Sequence, residues 1–102
     1  MVESRHYDRE GQPLTLEKWA TLFEDFGYRQ VARTVTTKGK VISTVWLGLD
    51  HNYFSQKGPP LIFETMVFAS RGDFQDLDCD RYATEEEALA GHAAMERKWL
   101  EW

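Results

Sequence analysis

Two apolar, β-rich runs on either side of a turn-rich stretch limit what this chain can become. Residues 41–51 read VISTVWLGLDH, residues 52–60 read NYFSQKGPP and residues 61–69 read LIFETMVFA. β-Branched and aromatic residues fill both runs, and Asn52, Gly58, Pro59 and Pro60 punctuate the stretch between them. That pattern predicts an antiparallel hairpin with a long loop. A symmetrical loop sets Leu49 opposite Leu61, and side chains then alternate between two faces. One face takes Val41, Ser43, Val45 and Leu47 with Val67, Thr65 and Phe63. The other takes Ile42, Thr44 and Trp46 with Phe68, Met66 and Glu64. Both are apolar, whereas a sheet with one solvated face alternates apolar with polar. The helices of a small domain shelter one face. The second is expected either to lie under the N-terminal segment or to meet another protein. Ile42, Trp46, Glu64, Met66 and Phe68 are its candidate contact residues.

At 102 residues the chain is expected to form one domain, residues 1–102, with a single core. Its 14% aromatic content argues against disorder. A net charge of -5 disfavours nucleic acid, whose phosphates need a basic footprint. Cys79 is the only cysteine, so neither an internal disulfide nor a cysteine metal cluster is expected, which fits a reducing compartment. Residues 1–13 are polar and no run of about 18 apolar residues occurs, so neither a signal peptide nor a membrane span is expected. The expected location is the cytoplasm.

Around the hairpin, the chain reads helix, strand, hairpin, short strand, helix. Residues 1–13 look loosely structured. Thr15 can cap a helix running to about Phe26, with Leu16, Trp19, Ala20, Phe23 and Phe26 on one side and Gly27 as its stop. YRQVARTVT from Tyr28 predicts a first strand, and Gly39 offers positive φ to the turn after it. Residues 78–82 predict a short charged strand of the kind that blunts a sheet edge. Thr84 with Glu87 three residues on is a capping-box signature for a helix from 85 to about 100, its stripe formed by Ala88, His92, Met95 and Trp99. The expected fold is α+β: a three- to four-stranded antiparallel meander sheet with an N-terminal and a C-terminal helix packed on one face.

Charge is segregated. Arg29, Arg33, Lys38 and Lys40 form a basic segment. Asp73, Asp76, Asp78, Asp80, Glu85, Glu86 and Glu87 form an acidic one, relieved only by Arg81. Such segments read first as solvated surface. The acidic one could also occupy a basic groove on a partner.

No motif names a chemistry. Asp50 and His51, with Glu64, could supply a general base or metal ligands, but no nucleophile or third ligand is fixed by spacing. Glu64 sits alone in an apolar run, so it must be paired, protonated or a polar contact on a partner surface. His92 lies on an apolar helical stripe, where a satisfied core residue is the simpler reading. Cys79 between aspartates is disfavoured as a thiolate. Phosphate-cradling glycine loops and HExxH are absent.

The segments STVWLGLDHNY, GPPLIFETMVF and CDRYATEEEALAGHAAM together resemble a group of short proteins of bacteriophages and bacterial genomes. The resemblance implies a phage or prophage context and carries no activity with it. The function expected is a non-enzymatic, phage-type interaction module without a cofactor. It associates with itself, as a homodimer, or binds and inhibits a host or virion protein. The alternative is a small hydrolase or metal-dependent enzyme using Asp50, His51 and Glu64.

Overall fold

The computed structural model describes residues 5–50, 58–73 and 75–100. Four antiparallel strands form one sheet in the order β1-β2-β3-β4: Gln30–Val35, Val41–Trp46, Phe63–Phe68 and Asp76–Tyr82. Helices α1 (Leu16–Glu24) and α2 (Phe26–Arg29) precede the sheet, and α3 (Glu85–Trp99) follows it. The helices lie on one face, so the fold is the expected α+β meander.

Local chemistry accounts for the element ends. Thr15 caps α1 by accepting from the Lys18 N–H at 3.2 Å. The helix does not continue to Phe26. Asp25 leaves the helical region, and its carboxylate accepts from Tyr28 N–H at 3.1 Å, which starts α2 afresh. Gly27, expected as the stop, lies inside that short second helix. Between β1 and β2, Gly39 takes φ +87° and Thr36 closes the turn through Lys40. Thr84 caps α3 by accepting from Glu87 N–H at 3.1 Å, and Glu87 Oε1 accepts from the Thr84 hydroxyl at 3.1 Å. The cap is reciprocal, closed through the hydroxyl.

The register differs from the symmetrical-loop expectation by one residue. Val41 pairs with Phe68, Thr44 with Thr65 and Trp46 with Phe63. The cause is a bulge. Leu47 and Gly48 both donate to the Ile62 carbonyl, at 2.8 and 3.2 Å, so two residues face one, and Gly48 takes φ +72°. A one-residue slip moves a whole strand's side chains to the other face. Ile42, Thr44 and Trp46 therefore share a face with Phe63, Thr65 and Val67, while Val41, Ser43 and Val45 share the other with Glu64, Met66 and Phe68.

The first of these faces holds the core. Trp46, Phe63, Ile62 and Ala88 cluster beneath Trp19, Phe23 and Tyr28, and Ile42 and Val67 lie beneath Met95 and Trp99. Residues 5–13, expected to be loose, are tied down over it. His6 bridges Leu49 and Tyr7 bridges Pro13. Trp46 Nε1 donates to the Tyr7 carbonyl at 2.9 Å. Arg9 donates to Glu85 Oε1 at 2.6 Å and to the Tyr28 carbonyl at 3.0 Å. No helix among the described residues is long and apolar enough to cross a membrane.

Candidate functional site

The second face of the sheet is open: the described helices all lie across the sheet from it. Its centre is Val41 and Val45 on β2 with Met66 and Phe68 on β3. Val45, Met66 and Phe68 are part-exposed, although they sit in the two central strands. A bulge in β4 between Asp78 and Asp76 sets Asp76 and Leu77 against Phe68, leaving Leu77 44% exposed. At the other edge, Val35 stands beside Val41 and is 36% exposed. A groove of about 380 Å³ runs over Val41, Met66 and Phe68 between Arg33 and the β3–β4 turn at Arg71. Ring and thioether surface left in water at the centre of a sheet favours a covering partner.

Charges on this face follow the strands. Arg33 lies on β1, beside Ser43 and in the same row as Met66 and Cys79. Glu64, only 7% exposed, is neutralised across the strand pair: its Oε2 accepts from Arg81 Nε at 3.0 Å and from the Cys79 thiol at 3.6 Å. Burial first, then the Glu64 charge, pushes the Cys79 thiol up to about 11. It is a thiol at neutral pH, held as a small packing group. Asp76 is close enough to add to that shift, and its pairing sets it opposite Phe68. No side-chain hydrogen bond or ion pair joins Arg33 or Asp76 to another described residue.

The candidate contact residues divide between the two faces. Glu64, Met66 and Phe68 lie on the open one. Trp46 and Ile42 do not: both are fully buried on the helix-covered side. The bulge at Gly48 separates them from the others, and a lone glycine inside the run WLGLD was its visible signal.

Of the catalytic candidates, Asp50 and Glu64 are each held in bonds to other groups. Asp50 braces the loop base, accepting from Leu61 N–H at 3.2 Å. Glu64 is held by Arg81 and Cys79 on β4. His51 lies outside the described residues. Among the described residues no group of three His, Cys, Asp or Glu side chains could hold a metal ion.

Much of the acidic segment is engaged internally. Asp78 accepts from Lys98 at 2.7 Å and from Trp99 Nε1 at 3.0 Å, and the Lys98 and Trp99 bonds hold its carboxyl below the usual range. Asp73 accepts from Gln75 N–H at 3.1 Å, and Glu85 pairs with Arg9. Asp78 and Asp80 also take the N–H groups of Cys79 and Arg81, both at 2.9 Å. Those two donors, two residues apart on an edge strand, are not offered to an incoming strand. Among the described residues, Asp76 and Glu86 are the members of the segment without such a bond.

Beneath α3 lies a polar chain that the sequence reading missed. The Thr34 hydroxyl donates to Glu96 Oε2 at 2.7 Å, so its oxygen accepts from His92 Nε2 at 2.9 Å. His92 Nδ1 is then the acceptor for Thr44 at 2.7 Å, and Thr44 in turn accepts from Thr65 at 2.5 Å. One tautomer, protonated at Nε2, satisfies the whole chain. Burial, opposed by Glu96, lowers the His92 pKa. His92 is the satisfied core histidine that its place on the stripe suggested.

Comparison of the chain with protein-family models, with curated proteins and with solved structures gives no match.

Proposed function

We propose that this protein is a non-enzymatic protein–protein interaction module that docks through the open face of its sheet. The supporting observation is a single contrast. The central strands leave Val45, Met66 and Phe68 part-exposed, while the carboxylates that could have served a reaction brace a loop or neutralise an arginine. Apolar surface of this kind gains free energy when covered, at about 25 cal/mol per Å². Two of the three residues of the hydrolase reading, Asp50 and Glu64, are accounted for by structural bonds. On this reading the partner is a host protein, a virion protein or a further copy of this chain.

A photo-reactive phenylalanine analogue at Met66, introduced in cells producing the protein, tests this. The control is the same group at Leu89, which is 47% exposed on α3. Adducts of defined mass from position 66 and none from position 89 are expected. Adducts from both positions, or from neither, would overturn the reading.

A further inference from the structure

We infer that the open face closes on the same face of a second copy of this chain, about a two-fold axis running along the strands, with Arg33 of each copy paired to Asp76 of the partner subunit. This rests on the docking reading above and names its occupant.

Charge placement carries the argument. The open face has a cation on one edge strand, Arg33 on β1, and an anion on the other, Asp76 on β4, while Arg81 on β4 and Glu64 on β3 neutralise each other. Neither charge has an ion-pair partner among the described residues. A two-fold contact must be self-complementary. Of the two in-plane axes, the one across the strands lays β1 on β1 and sets Arg33 against Arg33. The one along the strands lays β1 on β4, so each Arg33 meets the edge that carries Asp76, twice over. Arg33 lies in the row of Met66, and Asp76 lies one row on, opposite Phe68. The usual crossing of about 30° between packed sheets shifts the edges along the strands, and an arginine side chain spans the remainder.

The edges themselves are poor alternatives. Joining β1 to β4 head to tail makes an open filament, not a closed dimer. Joining β4 to β4 would bring two acidic strands together, with the N–H groups of Cys79 and Arg81 already taken by aspartates.

Area sets the strength. Four strands about 4.8 Å apart, with about 3.3 Å of rise per residue, present a face of roughly 400 Å². Stable specific complexes bury about 800 Å² per partner. The dimer is therefore a weak one, with a dissociation constant in the micromolar range or above. Glu64 is already desolvated and neutralised by Arg81, so burying this face adds little charge desolvation there.

Sedimentation equilibrium from about 10 to about 500 µM reads the association. Wild type should pass from monomer to dimer across this range, and R33E or D76R alone should raise the dissociation constant about tenfold or more. Mixed in equal amounts, the two variants should recover wild-type association, because the heterodimer restores one native pair and one reversed pair. Circular dichroism of each variant confirms the fold. A wild type that stays monomeric would overturn the inference. So would single variants that associate as wild type does, or a mixture that does not recover. If the sedimentation test fails while position 66 still yields adducts at masses other than twice the chain, the docking reading stands and the second copy does not.

Discussion

Gly48 decides which side chains this protein buries. Its φ of +72° makes the bulge that exchanges the faces of β3 relative to β2, and a Cβ there would stand 2.6 Å from Trp19 Nε1. Gly48→Ala should therefore cost about 2 kcal/mol or more, read as a lowered urea midpoint. The strain cannot be relieved by a rotamer change alone, because Trp19 is fixed by its 2.9 Å bond to the Leu47 carbonyl. The glycine was visible in the sequence, but its consequence was not. A bulge is a relation between two strands, and nothing in WLGLD says which residue will face Ile62. Cys79 offers a second test at this scale. With its thiol pushed up to about 11, iodoacetamide at pH 8 should alkylate it about two orders of magnitude more slowly than an unhindered cysteine. Arg81→Ala removes a charge that favours the thiolate, and should slow the reaction further.

Helix α3 was the most legible element, because its signals are local: Thr84 and Glu87 at the start, Arg97 and Lys98 in the last turn, Ala88, His92 and Met95 on one side. The polar chain under it was not legible, because its threonines come from three strands and meet His92 only once the sheet is paired. That chain makes the element pH-sensitive in one direction. In the folded state His92 Nδ1 accepts from Thr44, so a second proton would reverse the donors along Thr44 and Thr65. Burial lowers the folded pKa below the ordinary value of 6.5. As pH falls through 6.5 the unfolded chain takes up a proton before the folded chain does. Stability from this group is thus full above about 6.5 and declines down to the folded pKa. Glu96, which faces the ring through Thr34, favours the protonated form and limits the loss. Denaturation midpoints measured from pH 8 to pH 5 should fall for wild type. His92→Gln should be less stable at pH 8 and flatter over that interval. A variant with the wild-type slope would show that another group titrates there.

At the scale of the whole molecule, the fold class and strand order could be read from element order and turn residues, while the division of labour between the two faces could not. The N-terminal segment shows why. Residues 5–13 have no periodic apolar pattern, yet they cover Trp46 through a main-chain carbonyl and an arginine, interactions that leave no hydropathy signature. Trp46 is consequently core and Met66 surface, although the symmetrical hairpin puts them on one face. The two substitutions Trp46→Ala and Met66→Ala separate these arrangements. Removing a fully buried indole should cost about 3–5 kcal/mol, a large share of the roughly 5–15 kcal/mol available to a domain of this size. It also removes the bond to the Tyr7 carbonyl that ties the segment over the core. Met66 is only part-buried, so truncating it should cost less than about 1.5 kcal/mol and leave the fold intact. Urea denaturation at low protein concentration, where association contributes nothing, gives the comparison directly. Equal losses at the two positions would mean that both side chains share one environment, and the bulge at Gly48 would then not divide them.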